Sequence, residues 1–209
     1  MHVTLRLAGT QPLAVGHLRQ VYAHPHDADL IIKVMRPDAV AQRAARWHKR
    51  LARALHYSGY VRELKEYIAT RARFAHLDAP IARMVGVVPT DLGLGLVSEL
   101  VRGSDGGLAP TLAHRYELER GFSAPLEQGL AEFLDGLLAS NVIVGDMHAW
   151  NIVYGSDSRG GPRFVLIDGF GEKHFIPRAT MSRMLNVRNT HRLYRRMRVQ
   201  LQREVPQKT

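Results

Sequence analysis

Two polar loops, each fused to a short apolar run, constrain the fold of this chain more than any other part of it. The first, Val144-Gly145-Asp146-Met147-His148-Ala149-Trp150-Asn151, leads into the β-compatible run Ile152-Val153-Tyr154. The second lies 17 residues beyond Asn151, where Phe164-Val165-Leu166-Ile167 ends in Asp168-Gly169-Phe170-Gly171. Gly155 to Pro162, between the runs, is rich in turn residues, so the two runs read as a hairpin. Its return brings Asp146, Asn151 and Asp168 to one place, and all three carry side-chain oxygens suited to a hard divalent cation or to proton transfer.

The 209 residues, 45% of them hydrophobic, suffice for one domain or two tightly packed lobes. No apolar run approaches 18 residues, and Met1 to Arg6 lacks the apolar stretch of a secretory signal, so the expected compartment is the cytoplasm. The absence of cysteine excludes disulfide frameworks, thiolate zinc sites, iron–sulfur clusters and cysteine nucleophiles. Chemistry falls to carboxylates, histidine, lysine and backbone.

The first third predicts short strands over Val3–Leu7, Arg19–Ala23 and Leu30–Met35, then two helices over about residues 38–57 and 60–76, separated at Ser58-Gly59. A further hairpin is expected from Met84–Val88 and Leu94–Leu100 around Pro89 to Gly93. After the Gly/Ser/Asp-rich stretch Arg102 to Gly107, Leu126, Leu130, Phe133, Leu134, Leu137 and Leu138 recur near a period of 3.6, and the chain is again helical beyond Pro177. The expected architecture is α+β in two lobes, residues 1–100 β-rich and residues 101–209 helical.

An Asp followed five residues later by Asn, and then by a strand ending in Asp-Gly-Phe-Gly, resembles the catalytic loop and metal-binding loop of protein kinases. The wording Gly-Asp-Met-His-x-x-Asn is similar to small-molecule and sugar kinases of that superfamily. With Tyr22-Ala23-His24-Pro25 and Arg62-Glu63-Leu64-Lys65, the chain from about residue 10 to 200 resembles the YrbL family of PhoP regulatory network proteins, which implies a bilobal kinase-like fold with a reduced helical second lobe.

By that resemblance ATP and Mg²⁺ are the cofactors, Asp146 is the catalytic base, and Asn151 and Asp168 hold the metal. His148 stands where protein kinases place a phosphate-contacting lysine. Lys33 in Leu30-Ile31-Ile32-Lys33-Val34 takes the place of the lysine that pairs with the α- and β-phosphates, with Glu63 as its partner and Glu66 as the rival. Gly16, Arg19 and Val21 fall in the phosphate-covering loop, where one of three expected glycines remains and Arg19 offers a bidentate contact to phosphate. The backbone from Glu99 to Val101 is the expected hinge for adenine.

Only 38 residues follow Gly171, too few for a peptide-binding lobe. The implied reaction is therefore transfer of the γ-phosphoryl of ATP to a hydroxyl of a small molecule, sugar or lipid headgroup. A pseudokinase acting as a nucleotide-responsive regulatory module is the alternative. The net charge of +10 is concentrated in the tail, where residues 178–209 hold nine Lys/Arg against one acid, Glu204. That cation suits an anionic partner, whether a phosphorylated small molecule, a lipid headgroup or a protein; nucleic acid ranks last because no recognition motif accompanies the charge.

Overall fold

The computed structural model describes residues 4–44, 57–74, 78–172 and 182–205. It is a mixed α+β protein whose chain divides into two compact units, Met1–Leu64 with Arg83–Leu100, and Lys65–Ala82 with Val101–Thr209.

The first unit is built on an antiparallel sheet of β1 (Ala14–Val15), β2 (Arg19–His24), β3 (Asp27–Met35), β4 (Met84–Thr90) and β5 (Gly93–Glu99), in the order β1-β2-β3-β5-β4. β3 lies between β2 and β5, and Ile31 to Met35 are buried on both faces of it. Ile32 and Val34 point to a core with Leu5, Leu7, Tyr22 and Val97, so the period of two turns Lys33 to the opposite face. There Lys33 is only 3% exposed, with Val21 and Leu96 as its cross-strand neighbours. Close approach of β5 to β3 requires Gly95, where a Cβ would fall 2.4 Å from Ile32 Cγ2.

Two helices belong to the sequence after β3. α1 covers Pro37–Ala44, and the rest of the helix expected to residue 57 lies outside the described residues. α2 (Ser58–Phe74) begins at the Ser-Gly pair taken in sequence as a break. The expected strand over Val3–Leu7 is reduced, among described residues, to a parallel bridge between Leu5 and Thr90. Asp91 caps it: its carboxylate accepts from Leu7 N at 2.7 Å, the next donor that a longer ladder would have used, and from Ala8 N at 3.1 Å.

In the second unit α3 (Leu112–Leu118) and α4 (Ala124–Ala139) are capped by Thr111 and Ser123, whose side chains accept from His114 N and Leu126 N. α4 buries Leu126, Leu130, Phe133 and Leu137. The hairpin β6 (Ile152–Asp157) and β7 (Gly160–Leu166) is longer than the sequence suggested, leaving two residues for its turn. Gly160 and Gly161, at φ of 95° and 142°, supply the positive-φ backbone that lets β7 start so early. The chain ends its described part in α5 (Arg183–Glu204).

Lys65–Ala82 joins this second unit through main-chain ties. Leu166 N donates to Pro80 O and Ala82 N to Leu166 O, so residues 80–82 run along β7. Arg159 secures the same stretch, donating to Ala79 O at 2.7 Å and Ile81 O at 3.0 Å while its guanidinium also pairs with Asp157. Arg163 pairs with Asp157 as well. Burial pushes the Asp157 carboxyl up, but hydrogen bonds from Arg159 and Arg163 outweigh it and hold the group below the usual carboxylate range. Asp157→Asn should therefore destabilise the protein by about 3 kcal/mol, because it leaves two arginines facing a neutral buried partner. Urea unfolding at neutral pH measures this, and a variant as stable as the parent would refute the role of the carboxylate.

Candidate functional site

Residues predicted from sequence to carry chemistry fall in both units. In the second, the loop after α4 and the segment after β7 are fastened main chain to main chain. Gly169 O accepts from Gly145 N at 2.9 Å and from Asp146 N at 2.8 Å, Val144 bridges Phe170, and Gly171 N donates to Ile143 O at 2.7 Å. Phe170 is fully buried and anchors the segment. A Cβ on Gly169 would fall 2.3 Å from Asp146 O, so only glycine fits beneath the loop, and its φ of 84° is itself a glycine conformation.

Asn151 is set from the other side. Its N–H closes a short 3-10 turn, Ala149–Asn151, on His148 O at 2.9 Å, and its carbonyl accepts from Ile167 N at 2.8 Å. Asp146, Asn151 and Asp168 thus flank the paired start of β6 and end of β7, where Ile152 is in register with Leu166. Asp168 folds one carboxylate oxygen back to Gly169 N at 2.6 Å. The imidazole of His148 lies 3.1 Å from Asp146, Nε2 to Oδ1, and both side chains are more than a third exposed. Trp150, passed over in the sequence, is 56% exposed on the turn beside them.

Among the described residues, no group of three or more His, Asp or Glu side chains is gathered to hold a metal unaided. Mg²⁺ does not require one. It is held through one or two protein oxygens, with substrate phosphate and water completing its octahedron. The amide oxygen of Asn151 and the carboxylate of Asp168 fit that mode of binding.

The first unit holds the remaining candidates. Arg19, expected to face phosphate, turns its guanidinium fork on Glu63, with Nη1 3.1 Å from Oε2 and Nη2 2.7 Å from Oε1. The pair is buried, the Glu63 side chain completely. Gly59 leaves room for it, since a Cβ there would meet Arg19 Nη2 at 2.5 Å. Tyr60 lies under the guanidinium, 5.0 Å from ring centroid to carbon, and its hydroxyl donates to Lys33 O at 2.7 Å. One turn of α2 therefore ties both β2 and β3. Gly16 closes the β1–β2 turn, its N–H on Arg19 O at 2.8 Å. Glu99 N donates to Arg83 O at 2.9 Å, while Val101, opening the second unit, accepts at its carbonyl from Ala109 N at 3.0 Å.

Glu66, the rival for Lys33, is used in the second unit. Its Oε1 accepts from Ile143 N at 2.8 Å, three residues before Asp146. Burial pushes this carboxyl above its ordinary value, the neighbouring Glu172 adds to the rise, and hydrogen bonds from Ile143 and Thr70 with the charge of Lys65 oppose it.

An α+β protein with two acidic loops clasped beneath a hairpin is thus defined. The chain belongs to the family described as PhoP regulatory network protein YrbL, which matches residues 5–202. It is 30% identical over 198 residues to "Uncharacterized protein YrbL" of Escherichia coli (strain K12), across 92% of this chain and 85% of that protein. The Shigella flexneri protein of the same name matches to the same extent.

Two variants test this construction. Gly169→Ala should cost about 2 kcal/mol through strain and displacement of the Asp146 loop, read by urea unfolding; an unchanged midpoint would refute the close approach. Because the folded protein holds the Glu66 proton more tightly than the unfolded chain, its contribution is greatest below the ordinary value of 4.5 and declines as pH rises through the raised one. Glu66→Gln keeps an oxygen for Ile143 N and should flatten that decline, leaving the variant at least as stable as the parent at neutral pH. A steeper loss of melting temperature between acid and neutral pH in the variant would contradict this.

Proposed function

We propose that this protein is an ATP-dependent phosphotransferase with a kinase-like fold, acting on a hydroxyl of a small molecule, sugar or lipid headgroup. The observation that carries the proposal is the clasp of the Asp146 loop by Gly169 O, which sets a half-exposed carboxylate beside two oxygen donors, Asn151 and Asp168, on fixed backbone. A third-strand lysine, Lys33, followed by a helix bearing Glu63 fits the order of parts in the kinase template.

In this chemistry the acceptor oxygen attacks the γ-phosphorus, the bond from phosphorus to the ADP oxygen breaks, and the hydroxyl proton passes to Asp146. His148, 3.1 Å from that carboxylate, orients it. Mg²⁺ bound through Asn151 and Asp168 would neutralise phosphate charge. Lys33, buried on β3, is the lysine that the kinase template assigns to the nucleotide phosphates.

A pseudokinase is the second candidate, and one observation favours it. Arg19 and Glu63 already satisfy each other, which removes Arg19 from the phosphate loop where only Gly16 remains of the expected glycines. The family name, with its PhoP regulatory network, also accommodates a regulatory role.

Mg·ATP should raise the melting temperature, by the equivalent of about 2.7 kcal/mol at roughly 100-fold the Kd. Asp146→Asn should keep that shift and lower transfer of labelled phosphate by about 10²–10⁴. No shift at millimolar ATP would refute nucleotide binding; a shift without transfer to a panel of sugars, lipids and small alcohols would decide for the pseudokinase.

A further inference from the structure

The exposed face of α5 concentrates basic charge. Across Arg183–Glu204 the helix holds seven arginines and a single acid, Glu204, at its last position. Its inner face, Asn186, Thr190, Met197 and Leu201, is buried. At about 100° per residue, Arg188, Arg192, Arg195, Arg196 and Arg203 fall in one stripe opposite that face, and all five are exposed. Three further apolar residues are exposed, Met184 at 63%, Leu185 at 42% and Val199 at 47%, and they fall on the same side. The charge thus runs along one side of the helix for about 30 Å, uninterrupted by acid and interleaved with apolar side chains.

We propose that this face docks the protein on an anionic membrane surface, with the arginines on lipid phosphates and Met184, Leu185 and Val199 among the headgroups. Charge alone would suit any polyanion. The apolar side chains favour lipid, because they gain nothing against the phosphates of a nucleic acid but leave water when set into the interfacial layer. Arginine suits this position, since its aliphatic stem lies along apolar surface while the guanidinium pairs with phosphate. The five arginines lie on one side of the helix, so a helix lying along the membrane plane presents them to the same surface. No helix among the described residues is long and apolar enough to cross a membrane. Docking does not depend on phosphoryl transfer, and the two stand or fall by different assays.

The test is sedimentation of the full chain with vesicles of phosphatidylcholine alone or with about 30% phosphatidylglycerol, at low and raised salt. Binding is expected to the anionic vesicles only, to weaken with salt, and to fall at least about tenfold in Arg188→Glu/Arg195→Glu/Arg196→Glu. These positions avoid Arg192, which donates to Asn189. Should that triple variant fail to fold, the Gln versions of the same three test the same loss. Met184→Ser/Val199→Ser should weaken vesicle binding several-fold and leave retention on heparin unchanged. Equal binding to neutral and anionic vesicles, no loss in the arginine variants, or tighter binding to a duplex or single-stranded oligonucleotide than to vesicles at the same salt would overturn the proposal.

Discussion

The carbonyl of Gly169, accepting from two successive N–H groups, is the contact on which the geometry of the second unit depends. The main chain that leads into the Asp146 loop is satisfied from several sides. Val142 O accepts from Asn186 and Val144 O from Asn189, both on α5; Ile143 N donates to Glu66 on α2, and Ile143 O accepts from Gly171. Five consecutive residues thus have their main chain held by three separate elements. Backbone held in this way cannot drift by an ångström without losing several hydrogen bonds together.

The first unit is organised by a buried ion pair. Taking Arg19 and Glu63 out of water costs about as much as their attraction returns, so the pair does little for stability. Its effect is on register. The fork fixes where α2 sits over β2, Tyr60 fixes it over β3, and Gly59 is the gap through which both are possible.

Much of this was legible in the sequence, and the rest fails for identifiable reasons. Strands rich in Ile and Val with turn residues between them gave up their pairing, and the recurrence of Asp, Asn and Asp around one hairpin gave up the loop pair, because short-range chemistry decides both. The partner of Arg19 was not legible: both residues could be suspected, but an ion pair across 44 residues leaves no local pattern. Hydropathy alone misleads at the start of α5: Leu185 is apolar yet exposed, and Asn186 is buried instead, since the Val142 carbonyl accepts from its carboxamide there. Glu66 reads in sequence as a rival partner for Lys33, and its bond to Ile143 N, 77 residues away, leaves no local pattern.

The carboxamides of Asn186 and Asn189 give α5 one rotational setting. A helix seated on leucines can slip by a residue and find similar packing, but such a slip turns every side chain by about 100°. Here it would strand Asn186 away from Val142 O and Asn189 away from Val144 O, so the helix is indexed to the main chain it rests on. The direction in which its opposite side looks is consequently fixed by the main chain of Val142 to Val144, and anything that grips that side pulls on the Asp146 loop itself.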